Sequence, residues 1–541
     1  MTVLAEAEPY VTNQNVLRET VKGLPHGWVR AELGNVIEAH YGKSLVRSDR
    51  TTGGAVPVVG SSGVVGAHLE ALVPGPSLIV GRKGSVGAVY FFSVPCWPID
   101  TTYYIRPPEG VNIRYLYYLL NSLELVRLDK STAIPGLSRD DMYRAHGCFA
   151  PAAEQTRIVE KLEELLSDLD AGVAELKAAQ KKLTQYRQSL LKAAVEGALT
   201  AEWRARRAAA TPSPRGMGRG SVLSEPSSPG HHPLPDPPPR GEGTCESGAQ
   251  LLERILKERR ARWQAKQLAK FKEQGKAPPK DWQDKYPEPK KPDATDLPPL
   301  PEGWVWASID QMAHVGTGVT PLRSKPAYFE NGSIAWVTSG ALNAETVTTA
   351  TEYVAELALK ECRLELYPVG ALLVAMYGEG KTRGKCSELL IPATINQAIA
   401  ALVLEPQAAA CKAYLKTFLL HSYEAMRGQA SGGVQPNLNL QIIKTIALPL
   451  PPVLEQQEIA SQIEQQLEQL ERQADAVKRA LKQSTAQRKN ILKAAFSGQL
   501  VPQDPNDEPA SVLLARIRAE RAGLASKPRV GRRKAALADV I

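Results

Sequence analysis

Apolar residues recur along two stretches of the chain with the spacing of a helix seam. In the first, Leu162, Leu169, Leu176, Leu183 and Leu190 follow one another at heptad intervals, with Leu166 and Val173 interleaved. In the second, Ile463, Leu470, Val477 and Ile491 form one series, and Leu467, Ala474 and Leu481 the other. Alternating steps of four and three line one face of an α-helix, so each stretch is predicted to present a coiled-coil seam. Gln180, Arg187, Ser484 and Arg488 interrupt it. Each helix follows a proline, Pro151 or Pro452, and carries a glutamate in its first turn, where the helix dipole favours an anion. Gly197 and Gly498 are stop signals near the far ends. The expected helices cover about 154–199 and 455–500.

The two stretches are copies. At a constant offset of 301, Glu154, Gln155 and Ile158 fall on Glu455, Gln456 and Ile459, and Arg187, Leu191, Lys192 and Gly197 fall on Arg488, Leu492, Lys493 and Gly498. The duplication extends upstream: LPHGWVRAEL from Leu24 is mirrored by LPEGWVWASI from Leu300. Between each such start and its helix lie short β-type runs separated by glycine-rich turns. VPVVGSSGVVGAH, PSLIVGRKGSVGAVYF and PIDTTYYIRP stand in the first module, and GALLVAMYGEGKTRGKC in the second takes the place of PSLIVGRKGSVGAVYF. Similarly, VQPNLNLQII stands where AIPGLSRDDM stood. IRYLYYLLNSLELV reads as a helix. The fold class is therefore α+β: two mixed α/β modules in tandem, each followed by a long helix. The expected divisions are a lead-in (1–23), module 1 (24–152), helix 1 (153–203), a Pro/Gly/Ser-rich linker with a charged helix (204–297), module 2 (298–452), helix 2 (453–501) and a tail (502–541). LLERIL at 251–256 echoes LLARIR at 513–518, so the charged helix corresponds to the segment after helix 2.

Composition narrows the function classes. A chain of 541 residues exceeds a single core, and 43% hydrophobic with 23% charged residues is ordinary for a soluble protein. No long uncharged apolar run and no secretory leader are present, so a cytoplasmic location and no membrane partner are expected. Six scattered cysteines without a C-x-x-C pair speak against a disulfide frame or zinc site. The net charge of +9 is compatible with a polyanion partner. AMYGEGKT at 375–382 satisfies a loose phosphate-loop pattern, but the following RGKCSELLIPAT lacks helical periodicity and reads as the second arm of a basic β-hairpin. No paired-carboxylate, His/Cys or triad arrangement emerges, so neither a catalytic nor a metal site is expected. Basic side chains on exposed glycine-rich turns can approach phosphates while their neighbours reach base edges. On that ground the candidate DNA contacts are Lys43, Arg47, His68, Arg82 and Lys83 in module 1, with Tyr41 beside them. In module 2 they are Arg323, Lys325, Tyr377, Lys381, Arg383 and Lys385.

LPHGW and LPEGW, GRKGSVG and AMYGEGKTRGK, ATINQA at 393–398, and PPVLEQQEIASQIEQ with ILKAAFSGQLVPQDPNDEPASVLL together resemble the specificity subunit of type I restriction–modification enzymes. The resemblance covers nearly the whole chain outside 205–297. It implies two target-recognition domains related by a pseudo-twofold axis and separated by two antiparallel helices, each domain reading half of a split, asymmetric double-stranded DNA site. It also implies a non-catalytic subunit that binds no cofactor itself. Its partners would be two adenine-N6 methyltransferase subunits, with ATP-dependent translocase/nuclease subunits for restriction. S-adenosylmethionine, ATP and Mg are then expected on those partners. The alternative is the DNA-recognition subunit of another multisubunit restriction or phage-defence system with the same fold.

Overall fold

A computed structural model describes residues 23–51, 53–129, 135–210, 246–377, 382–423, 425–426 and 438–526. The expected lead-in apart from Gly23, the Pro/Gly/Ser-rich stretch from 211 to 245 and the end of the tail lie outside the described residues. The chain divides into two compact units, 1–179 with 476–541, and 180–475. Both divisions fall within the long helices. Each unit thus joins one module to the first part of its own helix and the last part of the other.

Module 1 contains β1 (Val29–Glu32), β2 (Ala39–Tyr41), β3 (Val56–Gly60), β4 (Gly63–His68) and β5 (Ser77–Gly81). It continues with β6 (Val89–Phe92), β7 (Trp97–Pro98), β8 (Thr102–Ile105), α1 (Ile113–Ser122), α2 (Arg139–Arg144) and β9 (His146–Phe149). One sheet runs β2-β8-β5-β6, a second β4-β3-β7, and β1 pairs with β9. Strand β5 lies between β8 and β6 and is buried on both faces. Its alternation sends Leu78 and Val80 into the main core and Ile79 into a smaller one. The α1 helix is capped by Asn112, whose side chain accepts from the amides of Arg114 and Tyr115, and it buries Tyr115, Leu116, Leu119 and Leu120.

After the module come α3 (Ala152–Val195), α4 (Ala201–Ala210) and α5 (Gly248–Glu273). Module 2 opens with β10 (Val305–Ser308), α6 (Ile309–Met312), β11 (Ala313–Thr317), β12 (Ile334–Val337), β13 (Thr346–Val347), β14 (Glu352–Val354) and α7 (Glu356–Glu361). It closes with β15 (Leu372–Ala375), β16 (Cys386–Leu389), β17 (Thr394–Ile395), β18 (Ile399–Leu404), α8 (Lys412–His421), α9 (Leu440–Thr445) and β19 (Ala447–Leu450). The sheets repeat those of module 1: β11-β18-β15-β16 extended by β13, then β14-β12-β17, and a closing β10-β19 pair. Helices α10 (Val453–Phe496) and α11 (Ala510–Ser526) complete the chain.

Helices α3 and α10 are continuous and antiparallel. In the first unit Ile158, Leu162 and Leu166 share a core with Ile491, Leu492, Ala495 and Phe496. In the second, Leu183, Leu190, Leu191, Ala194 and Val195 share one with Ile459, Ile463, Leu467 and Leu470. The middle of the seam is only half-buried at Leu169, Val173 and Leu176, and Ala474 is exposed. Full burial of a leucine contributes about 1.5–3 kcal/mol. Packing is therefore strongest at the helix ends, where each module covers the seam.

A repeated knot holds each end. Glu154 and Glu455, both 1% exposed, accept the indole N–H of Trp28 and Trp304 respectively, each at 2.9 Å. Gln155 and Gln456 donate to the carbonyls of Ala150 and Pro451. The other helix's terminal glycine closes each knot. A Cβ on Gly498 would stand 2.2 Å from Pro25, and one on Gly197 would stand 2.7 Å from Pro301. Both glycines have positive φ, +70° and +77°. Beyond them Gln503 reaches Glu154 at 3.3 Å, whereas Glu455 receives Thr200 at 2.7 Å and the Arg204 guanidinium.

The segments after the glycines also correspond. The Ala510 amide donates to Gly27 and the Gly248 amide to Gly303. Leu513, Leu514 and Ile517 enter the first core, and Leu251 and Ile255 enter the second. The α5 helix is further attached to module 2 by Arg259 and Arg262, which pair with Glu405. Its outer half packs Trp263 and Phe271 on Trp282, with Tyr286 beside Trp263. The described cysteines are all free thiols. No helix among the described residues is long and apolar enough to cross a membrane.

Candidate nucleic-acid interface

In module 1 the sequence candidates gather where strands end. The C-terminus of β2, the C-terminus of β5 and the N-terminus of β8 meet at one edge, in the register Tyr41↔Tyr103 and Gly81↔Thr102. The turn after β5 is held by its backbone. The Arg82 and Lys83 amides both donate to the Thr101 carbonyl, at 2.8 and 3.2 Å, and the Arg82 carbonyl accepts from Leu137 at 2.8 Å. Gly87, at φ +76°, completes the turn, and a Cβ there would stand 2.4 Å from the Val126 amide nitrogen.

This frame aims the side chains. The Arg82 guanidinium lies 5.1 Å from the centre of the Tyr41 ring and donates to the Asp100 carbonyl at 3.3 Å. Arg139, the first residue of α2, lies 5.3 Å from the same ring. Tyr41 is 50% exposed, and Lys83 is exposed next to Arg82 in the turn. Lys43 and His68 converge on Trp97 instead, the ammonium 5.7 Å from its ring and the imidazole edge-on at 5.3 Å. Arg47 is exposed in the short Arg47–Asp49 turn. Among the described residues no carboxylate forms an ion pair with Lys43, Arg47, Arg82, Lys83 or Arg139.

Module 2 disposes of its candidates differently. Arg323 pairs with Glu352 at 3.0 Å and lies over the rings of Phe329 and Trp336. Lys325 pairs with Glu361 at 2.6 Å, and the Tyr328 hydroxyl donates to the same carboxylate at 2.8 Å. Together these hold the Glu361 carboxyl below its usual pKa, the Lys325 hydrogen bond contributing most. Both cations thus already face a carboxylate of their own module. Tyr377 is half-buried against the core, Arg383 is half-buried, and Lys385 donates to Asn343 at 2.9 Å. Lys381 lies outside the described residues. Beyond the loop, β16 returns antiparallel to β15 in the register Val374↔Cys386. That is the expected hairpin, and the helix a phosphate loop requires does not follow. Among the described residues no group of three or more His, Cys, Asp or Glu could hold a metal ion.

Backbone bonds superpose the two edges. The Met376 and Tyr377 amides donate to the Ala398 carbonyl as those of Arg82 and Lys83 do to Thr101. The pairings Gly81↔Thr102 and Ala375↔Ile399 then make Arg82 equivalent to Met376, and Tyr41↔Tyr103 with Thr317↔Ala400 makes Tyr41 equivalent to Thr317. Helices α2 and α9 correspond through their caps, Ser138 and Asn439, so Arg139 matches Leu440. One frame thus carries Tyr, Arg and Arg in one module and Thr, Met and Leu in the other, with Met376 buried in the core.

The family model for the type I restriction modification DNA specificity domain matches residues 25–178 and 301–479. The chain belongs to that family. As a type I specificity subunit, it is the DNA-recognition component and not a catalytic one. The EcoDI specificity subunit of Escherichia coli is 23% identical over 524 residues, covering 93% of this chain and 97% of that one. The MjaIX specificity subunit of Methanocaldococcus jannaschii is 28% identical over 177 residues, covering 31% and 38%. A solved structure described as the basis of complex assembly and conformational transition of the type I R-M system shares the fold, with a TM-score of 0.55 at 15% identity, over 88% of this chain and 99% of that one.

Within this specificity subunit, Arg139 is the exposed cation that the sequence reading missed. SRDDMYR reads as an ordinary charged helix start, and nothing local places it beside Tyr41, which lies 98 positions earlier. A guanidinium six strands and a helix further along the chain than its aromatic partner is visible only after folding.

Proposed function

We propose that this specificity subunit reads a split, asymmetric double-stranded DNA site, one half through each module. It recruits two adenine-N6 methyltransferase subunits and, with them, ATP-driven restriction subunits. S-adenosylmethionine, ATP and Mg belong to those partners, and this chain binds none of them. The observation carrying the reading is the repeated edge: two frames sharing individual backbone hydrogen bonds, with different side chains at the matched positions. A common scaffold with unlike readers suits two unlike DNA words. Arg82, Lys83, Lys43 and His68 serve as DNA contacts in module 1, together with Arg47. Tyr377, Lys381, Arg383 and Lys385 serve in module 2. Arg323 and Lys325 hold their own module together. The test is coexpression with the partner methyltransferase followed by genome-wide mapping of methyladenine. A split motif with two unlike words is expected, and a single uninterrupted word would overturn the proposal. The chain purified alone should show no methyl transfer, nuclease or ATPase activity.

A further inference from the structure

We propose that Tyr41, Arg82 and Arg139 form a guanine reader in module 1, with Arg139 the specificity-determining residue; this rests on module 1 being a DNA-reading surface. Two guanidinium groups lie 5.1 and 5.3 Å from one exposed tyrosine ring, and neither is in an ion pair with a described carboxylate. Two like charges held on one ring call for an electron-rich partner. The roles of the two arginines differ. Arg82 is tethered through Nη1 to the Asp100 carbonyl, and its backbone is fixed at both ends of the peptide unit. No described residue accepts a hydrogen bond from the Arg139 side chain, so its whole donor fork is open. Packing on Tyr41 restricts that fork before any ligand arrives, which lowers the entropy lost on contact. A guanidinium fork matches the O6 and N7 acceptors of guanine in the major groove.

A phosphate could also accept this fork, but the comparison of the modules favours the base edge. The DNA backbone is alike under every sequence, so a backbone contact is useful at the same frame position in both modules. A contact to a base has to differ between readers of unlike words. All three positions differ: Thr317 and Leu440, both half-buried, stand where Tyr41 and Arg139 stand, and Met376, turned into the core, stands where Arg82 stands.

The test uses the full complex with its methyltransferase and two variants, Arg139→Lys and Arg139→Leu. The first keeps the charge and loses the fork; the second is the residue the same frame carries in module 2. Methyladenine mapping is combined with competition by duplexes carrying each base at each position of the half-site, on protein whose thermal unfolding matches the parent. Both variants are expected to lose discrimination at one guanine of the module 1 word, with affinity for the parent site falling roughly 10- to 100-fold. The other word should remain unchanged. Tyr41→Thr should relax the same position by less. Full discrimination retained by Arg139→Lys, or an equal loss on all duplexes with the word intact, would identify a phosphate contact and overturn the inference. An unchanged word and affinity in both variants would overturn it as well. Failure of the parent complex to yield a split motif would instead count against the proposed function.

Discussion

Modules 1 and 2 are built on one frame and differ in whether a carboxylate also faces their positive charges. In module 1 the cations at the open edge rest on aromatic rings: Arg82 and Arg139 on Tyr41, and Lys43 on Trp97. In module 2 Arg323 and Lys325 rest on rings as well, but each also pairs with a carboxylate, Glu352 or Glu361. An aromatic ring orients a cation and leaves its charge uncompensated, whereas a carboxylate cancels it. A count of basic residues in turns therefore does not measure a DNA-binding edge. What matters is the group each cation already faces.

The same contrast runs through the knots at the helix starts. Trp28 and Trp304 bond to buried glutamates in identical fashion, but the remaining partners differ. Glu455 faces the Arg204 guanidinium, while Glu154 receives a neutral amide from Gln503. Burial raises the pKa of Glu154, with the bonds from Trp28 and Gln503 opposing the rise. Its ionised form is thus disfavoured by folding, although the site is kept closed.

The largest effect should come from exchanging residues 24–150 for the corresponding module of a relative. Methyladenine mapping should then show a new word in one half of the motif and the old word in the other. A change in both halves would mean that the modules do not read independently. Next in size, Arg82→Glu with Lys83→Glu should weaken duplex binding at least about tenfold at moderate salt, because the added anions repel phosphate. Unchanged binding at low and moderate salt would place the turn away from the DNA.

The knots differ more subtly. Glu455→Gln removes the anion facing Arg204 and should cost about 1.5–3 kcal/mol in urea unfolding. Glu154→Gln preserves an acceptor for Trp28 and should cost less than about 1 kcal/mol at neutral pH. The pH dependence follows from the raised carboxyl. The contribution of Glu154 is greatest below its unfolded value and is lost as pH rises through the folded one. The glutamine variant should consequently gain on the parent across the window just above the usual carboxylate range. Equal costs for the two substitutions would mean the knots are energetically alike. Smallest of all, Arg323→Ala and Lys325→Ala should leave duplex affinity within about twofold, since neither charge is uncompensated. A loss comparable to that of the Arg82 and Lys83 variant would return both residues to the interface.

Much of the fold was legible because it rests on local repetition. The heptads, the prolines before the helices and the glycines after them announced α3 and α10. The matched starts LPHGW and LPEGW announced the duplication. The hairpin reading of 375–389 also followed from local pattern, since the residues after Lys381 lack the apolar periodicity of a helix. Less was legible where a side chain's role depends on a distant partner. Glu154 and Glu455 read as complements of a helix dipole, yet the donors they accept from are indoles 126 and 151 residues away. Arg323 and Lys325 read as free turn cations, yet they meet glutamates 29 and 36 positions on. The graded burial of the seam was also hidden, because a heptad records which face is apolar and not what covers it.

The amino-acid sequence by itself determined that this protein is two copies of one α+β module, each leading into a long helix. Periodicity and punctuation act through short-range sterics and hydrogen bonding that need no knowledge of the rest of the chain. Tertiary structure alone decided which cations remain uncompensated, which glutamates are buried, and that Tyr41, Arg82 and Arg139 share one edge. Those properties arise from contacts between strands and helices far apart in the chain, where a few ångströms separate a neutralised charge from an available one.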